Sequence, residues 1–127
     1  MIAIDSSSWI AFFAGSDAGD IDVETVSAAL TDHQACLPPV VLTELLSDPK
    51  LPSDLASLLQ QLPRLELLPD FWQRAGLLRA KLLARKRRAR LADTLIAQTC
   101  IDHDVRLVTR DADFRHFATI GGLKLGA

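Results

Sequence analysis

The sequence predicts an α/β domain in three layers (α/β/α), with helices on both faces of a parallel sheet, and three observations carry that expectation. Short apolar segments of strand length alternate with longer segments of helical period along the chain. The chain has 127 residues, 49% of them hydrophobic, enough for one buried core without disulfide or zinc staples. Strands separated by helices pair in parallel through crossovers, which places the helices over the sheet.

In chain order, Ile2-Ala3-Ile4 is the first strand candidate, ending in Asp5 and three serines. An apolar helical turn runs from Trp9 to Ala14, and Gly15-Ser16-Asp17-Ala18-Gly19-Asp20 reads as a flexible acidic loop. Apolar residues at Val23, Val26 and Leu30 predict a helix over 23–31. Gln34-Ala35-Cys36-Leu37 is a second strand candidate closed by Pro38-Pro39, and 40–47 a short helix stopped near Pro49. A helix over 51–62 has Ser53 and Asp54 set to cap its start. Leu65-Glu66-Leu67-Leu68 looks like a third strand, followed by a long helix from Asp70, as N-cap, toward Lys86. A helix over 92–102, a strand at Arg106-Leu107-Val108-Thr109, a helical turn over 112–117 and a last strand at Leu123-Lys124-Leu125 complete the pattern. No repeat, low-complexity tract or linker interrupts it, so a single domain over 1–127 is expected.

Composition excludes several classes. Met1-Ile2-Ala3-Ile4 meets an acid at position 5, unlike a signal peptide, and no run of 18 apolar residues exists to cross a membrane. Cys36 and Cys100 lack CxxC spacing and read as reduced, buried fillers of a cytoplasmic protein. The net charge of -2 is unremarkable, but its distribution is not. Eight of the 14 Lys and Arg (Arg74, Arg79, Lys81, Arg85, Lys86, Arg87, Arg88 and Arg90) fall between 71 and 92, a window without Asp or Glu. The remainder carries 6 basic against 16 acidic residues. Such a basic strip on an acidic body suits a polyanion.

Several acids stand where apolar or neutral residues are expected. Asp5 and Asp111 follow strand candidates, at the edge where open parallel sheets bind ligands. Glu44 shares a helix face with Val40 and Val41, and Asp93 shares one with Ile96, Ala97 and Cys100. Each has an ordinary explanation: a turn for Asp5, a buried ion pair for Glu44, a cap or helix-dipole partner for Asp93, turn chemistry for Asp111 or Asp113. Jointly they suggest a convergence of carboxylates that needs a divalent cation. Oxygen ligands without His or Cys select Mg²⁺ or Mn²⁺ over Zn²⁺. His33, His103 and His116 have no ligand spacing and are expected at the surface.

Four segments carry a family likeness: Ile4-Asp5-Ser6-Ser7-Ser8-Trp9-Ile10, Val41-Leu42-Thr43-Glu44-Leu45-Leu46, Leu91-Ala92-Asp93-Thr94-Leu95-Ile96-Ala97, and Leu107-Val108-Thr109-Arg110-Asp111-Ala112-Asp113-Phe114. In this order and spacing the chain resembles the PIN-domain ribonucleases, specifically the VapC-type toxins of bacterial toxin–antitoxin pairs. The resemblance implies a PIN-like fold with a five-stranded parallel sheet and a catalytic acidic site of Asp5, Glu44, Asp93 and Asp111. It implies these four and Asp113 as metal ligands, with Ser7 and Thr109 hydrogen-bonding a carboxylate or a metal-bound water. It further implies Mg²⁺-assisted hydrolysis of RNA phosphodiesters, a homodimer, and a VapB-type antitoxin that blocks the acidic groove. Within the basic strip, Arg74, Lys81, Arg85 and Arg88 are expected on one helix face, and these with Lys86, Arg87 and Arg90 to contact RNA phosphates.

Other readings fit less well. A receiver domain needs adjacent acids after its first strand, where serines follow Asp5 here. A haloacid-dehalogenase-like phosphatase needs an acid at position 7, which is Ser7. A PIN nuclease of RNA processing outside any toxin system, and a non-catalytic RNA- or protein-binding PIN fold, stay open as alternatives.

Overall fold

The computed structural model describes residues 1–15 and 19–126; positions 16–18 of the expected acidic loop lie outside the described residues. Among the described residues the chain runs β1 (Ile2–Ile4), α1 (Ser6–Phe13), α2 (Ile21–Thr31), β2 (Ala35–Cys36), α3 (Pro39–Leu46), α4 (Ser53–Gln61), α5 (Phe71–Ala84), α6 (Leu91–His103), β3 (Arg106–Val108), α7 (Phe114–Gly121) and β4 (Leu125–Gly126).

All strand pairs are parallel, in the order β2-β1-β3-β4. The central β1 pairs Ile2 with Ala35 on one side and Ile4 with Val108 on the other. From β1 the chain goes to β2 on one side, then returns past β1 to reach β3. The crevice at the carboxyl ends of β1 and β3 is therefore a topological switch point, where open α/β sheets bind ligands. The Asp5 amide donates to Val108 O at 2.9 Å, so the ladder carries Asp5 to the rim of that crevice.

The sheet has four strands among the described residues, where five were expected. The missing one is 65–68: a single bridge joins Leu37 to Arg64 just before it, and the Leu65 amide donates to Leu37 O at 3.0 Å. β2 is two residues long and runs into Pro38 and Pro39, whose missing amides leave little for a further strand to pair with. Past the bridge, Leu67 and Leu68 are exposed, and the Glu66 carbonyl is taken by His103 Nε2 at 2.7 Å.

The core joins β1 and β3 to Trp9, Leu37, Val41, Leu82, Ile96, Phe114 and Phe117. Trp9 stacks on Phe13 with ring centroids 5.6 Å apart. Cys36 and Cys100 are buried and unbridged, and burial raises both thiols, Cys36 to about 11. α6 is the most enclosed helix, packing on α3, α5 and α7 with Thr94, Ile96, Ala97, Gln98, Thr99 and Cys100 all buried. Its threonines are satisfied by the helix itself, Thr94 Oγ1 donating to Arg90 O and Thr99 Oγ1 to Leu95 O, both at 2.8 Å.

Helix ends differ from the expectations in a systematic way. Ser53, Asp54 and Asp70 make no side-chain cap: α4 starts after Pro52, and Asp70 adopts a left-handed φ of 60° before α5. Three helices close on a non-glycine residue in the left-handed region. His33 (φ 54°) follows α2, Lys86 (φ 58°) follows α5 and Asp104 (φ 53°) ends α6. The next amide in each case reaches back five residues, Gln34 to Ala29 O, Arg87 to Leu82 O and Val105 to Cys100 O. These are Schellman closures, which glycine ordinarily makes without strain. Glycine takes that conformation after α1 and α7, Gly15 at φ 67° and Gly122 at φ 80°. A single left-handed L-residue costs about 1–2 kcal/mol. His33→Gly, at an exposed position, is therefore expected to raise unfolding free energy by about 0.5–1 kcal/mol in urea denaturation. An unchanged or lower midpoint would mean that the closure at His33 is unstrained.

Candidate acidic site and its surroundings

The site begins with Asp5, which β1 delivers to the carboxyl edge of the sheet and which is only 6% exposed. Its backbone does the work of a cap, the Asp5 carbonyl accepting the amides of Ser8 and Trp9, both at 3.1 Å. Its side chain does not cap α1. Instead Asp5 Oδ2 accepts the hydroxyls of Ser7 at 3.0 Å and Thr109 at 2.8 Å. The turn explanation for this acid therefore fails. Two hydroxyls orient one carboxylate oxygen of a nearly buried acid, across 104 residues of sequence in the case of Thr109.

Thr109 continues the chain of contacts. While its hydroxyl donates to Asp5, its Oγ1 accepts the Asp111 amide at 3.0 Å, and Asp111 Oδ1 accepts the Asp113 amide at 2.9 Å. The Asp111 side chain thus caps the turn into α7, the ordinary role considered for it, and its backbone is tied through Thr109 to Asp5. Asp113 precedes α7 without capping it and faces Arg88, with Nη1 to Oδ2 at 3.6 Å.

Glu44 comes from α3 and is exposed, contrary to the buried position expected from its apolar neighbours. Val41 and Leu45 fill the buried face, and Glu44 turns to the rim, where Ser6 Oγ donates to its Oε1 at 2.9 Å. No arginine pairs with it through a salt bridge among the described residues. Partial desolvation and the Asp5 charge keep its carboxyl above the ordinary range, against the Ser6 hydrogen bond.

Asp93 lies in the first turn of α6, half-buried. Burial, then the charges of Asp111, Asp5 and Glu44 in that order, push it up to about 6, and Arg90 alone pulls against them. The four acids from β1, α3, α6 and the β3 exit therefore share one electrostatic neighbourhood. They form an open cluster: among the described residues no three His, Cys, Asp or Glu side chains are drawn together closely enough to enclose an ion. Acids without a counter-ion repel, and Asp5 and Glu44 are each turned to hydroxyl partners.

The basic strip divides in two. Arg74 is committed to structure, its Nη1 paired with the nearly buried Asp102 and its Nε and Nη2 donating to Pro69 O. Arg79 Nε donates to Ala89 O at 2.8 Å. α5 ends at Ala84 with Arg85 as its C-cap, and the Lys86 closure beyond it means that Arg88 does not continue the helix face of Arg74 and Lys81 as expected. Lys81, Arg85, Lys86, Arg87, Arg88 and Arg90 are all exposed, and the α5–α6 connection holding the last five leads directly into Asp93. Of the histidines, His33 is exposed, whereas His103 and His116 are half-buried rather than fully at the surface.

Unmarked in the sequence were Ser6, which holds Glu44, and the Asp20, Asp22 and Arg110 group beside the β3 exit. Ser6 is indistinguishable from Ser7 and Ser8 in a serine run. Arg110 and Asp22 lie 88 residues apart, with no local pattern to join them.

The acidic repulsion has a consequence for stability. Asp93 with a folded value near 6 against an ordinary 3.8 binds protons better folded than unfolded, so stability falls as pH rises through that window. Asp93→Asn in metal-free buffer should remove that fall, gaining roughly 1–3 kcal/mol over wild type at pH 8 relative to pH 4. Parallel wild-type and variant stability curves across that range would contradict the buried, repelled carboxylate.

Comparison with known proteins bears on the family and the fold. Residues 2–120 match the PIN domain family. A VapC ribonuclease of Mycobacterium bovis is 35% identical over 133 aligned positions, covering 98% of this chain and 96% of that protein, and ribonuclease VapC11 of Mycobacterium tuberculosis aligns equally well. Among solved structures, VapBC2 of Rickettsia felis bound to a promoter DNA fragment superposes with a TM-score of 0.75 at 22% identity, covering 99% of this chain and 98% of the other. DNA-bound VapBC of Salmonella typhimurium gives 0.74 at 16% identity, with coverage of 99% and 98%. These two likenesses speak for the fold. With the family match across nearly the whole chain and relatives at 35% identity, the chain belongs to the PIN-domain family and, within it, to the VapC ribonucleases.

Proposed function

We propose that this chain is a Mg²⁺-dependent endoribonuclease acting as the toxin of a type II toxin–antitoxin pair. The observation that carries the proposal is the open cluster of Asp5, Glu44, Asp93 and Asp111 at the β1/β3 switch point, where burial and mutual charge raise Asp93 to about 6 with only Arg90 opposing. Such a cluster is stabilised by a cation, and an all-oxygen donor set fits a hard ion, Mg²⁺ or Mn²⁺. Asp5, Asp93 and Asp111 would hold it, with Glu44 and Asp113 nearby. When bound, the ion would activate water and offset the charge that builds on the phosphate during in-line displacement.

The chain's own residues would do the remainder. Ser7 and Thr109 hold Asp5 Oδ2 in one orientation, so that carboxylate need not reorganise as the ion arrives. Glu44, on the exposed rim, would accept a proton from the attacking water. Lys81, Arg85, Lys86, Arg87, Arg88 and Arg90 would bind phosphates on either side of the cut; such contacts position RNA without reading its sequence. Arg74 is dropped from this set because Asp102 and Pro69 already hold it.

VapC membership supports a VapB-type antitoxin as partner and argues for the toxin reading over RNA processing outside such a pair. The same membership supports a homodimer, and exposed Trp72, Leu77 and Leu83 on α5 offer apolar surface for an interface. No helix among the described residues is long and apolar enough to cross a membrane, which accords with a cytoplasmic toxin acting on RNA.

Purified protein incubated with total RNA should cleave it in Mg²⁺ and not in EDTA. Asp5→Asn and Asp93→Asn should each lower cleavage by about 100-fold or more while retaining the fold. Wild-type rates in both variants would sink the proposed site, and cleavage at full rate in EDTA would remove the metal. Arg87→Glu with Arg88→Glu should weaken RNA binding by about 10-fold or more at low salt and flatten its salt dependence. Equal affinity at every salt concentration would take the strip out of the mechanism.

A further inference from the structure

Arg110 stands between Thr109 and Asp111, the two residues of the β3 exit that meet the acidic site, yet its side chain serves a different contact. Its Nε donates to Asp22 Oδ2 at 2.5 Å, and its Nη2 donates to Asp20 Oδ2 at 2.6 Å and Asp22 Oδ1 at 3.0 Å. Asp20 is the residue before α2 and Asp22 lies in its first turn. Asp22 Oδ2 also accepts Ser8 Oγ of α1 at 3.1 Å, and the Asp22 side chain is only 15% exposed. A guanidinium gripping one carboxylate with two nitrogens, and a second acid beside it, fixes direction as well as distance.

The backbone of the same residue is held from the opposite side. The Arg110 amide donates to Ser7 Oγ at 3.0 Å, and that hydroxyl donates to Asp5 Oδ2. Thr109 Oγ1 likewise donates to Asp5 Oδ2 and accepts the Asp111 amide. The peptides on both sides of Arg110 thus carry the hydrogen bonds that tie Asp111 to Asp5. A rotation of the Arg110 backbone would break them together.

We infer that the fork of Arg110 with Asp20 and Asp22 is a positioning device for the acidic site, anchoring the β3 exit to α2 so that Thr109 and Asp111 keep their register with Asp5. Its catalytic consequence rests on the nuclease reading proposed above; its geometric consequence does not. The guanidinium side of the fork is open to solvent, with the Arg110 side chain 38% exposed, and screening there keeps its contribution to global stability modest, so its loss should disturb the site more than the fold.

The test uses Asp22→Ala, Arg110→Lys, and the exchange Asp22→Arg with Arg110→Asp, reading amide hydrogen exchange at Arg110 and Asp111 together with kcat and KM for RNA cleavage in Mg²⁺. Asp22→Ala and Arg110→Lys should each keep a thermal midpoint near wild type and speed exchange at both amides by about 10-fold. Each should lower kcat by about 10-fold with little change in KM. The exchanged pair should recover part of both losses. Unaltered amide exchange and kcat in Asp22→Ala, in a preparation where Asp93→Asn abolishes cleavage, would overturn the fork while leaving the nuclease reading intact. If the wild-type chain cuts no RNA, the nuclease reading falls alone, and amide exchange in the variants still upholds or overturns the fork.

Discussion

Like charge gathered at the carboxyl edge of a parallel sheet is the constraint on which the rest of this structure depends. Asp5 is nearly buried, and Asp93 is raised to about 6 by burial and by three other carboxylates. A fold does not keep such a group for its own stability, because taking a carboxylate out of water costs several kcal/mol unless donors or a cation offset it. Here the offset is incomplete. Ser7 and Thr109 serve Asp5, Ser6 serves Glu44, and Asp93 has only the influence of Arg90. A partly compensated acidic centre at a switch point, held in place by the surrounding scaffold, is what marks this edge as the candidate functional site.

That scaffold assigns each contributor to an element that can hold it still. β1 lies between two strands and brings Asp5; the enclosed α6 brings Asp93; the β3 exit brings Thr109 and Asp111. Cationic groups are kept separate. The Schellman closure at Lys86 ends α5 just after Arg85 and leads Arg87 and Arg88 toward the start of α6 instead of along the helix. Charge of one sign therefore forms the site and charge of the other flanks it, an arrangement suited to drawing in a polyanion. Arg74 and Arg110, which have the same charge, are spent on Asp102 and on Asp20 and Asp22 and serve as braces.

The elements that were legible in the sequence are those whose signal is local. Alternation of apolar strands with helical periods marked β1, β2, β3 and every helix from α1 to α7 to within a few residues. The acids at strand ends and on buried helix faces stood out because their neighbours are apolar. The errors have physical causes of the opposite kind. Residues 65–68 carry strand propensity but find no edge to pair with beyond Leu65, because β2 runs into two prolines. Glu44 was expected inside because its neighbours are apolar, but a helix of eight residues needs only Val41 and Leu45 to seal its buried side. Helix ends at His33, Lys86 and Asp104 lack the glycine that would have marked them.

Composition, period and the placement of acids determined by themselves an α/β domain with carboxylates at strand ends and a basic strip, and the likeness of four segments to the PIN-domain ribonucleases pointed to the family. Only the tertiary structure decided which hydroxyl holds which carboxylate, which arginines remain exposed beside the site, and that Asp22 and Arg110 meet across 88 positions of chain. The reason is range: propensity and periodicity act between residues within a turn or two, whereas hydrogen bonds and charge pairing act between atoms that only the packed fold brings together.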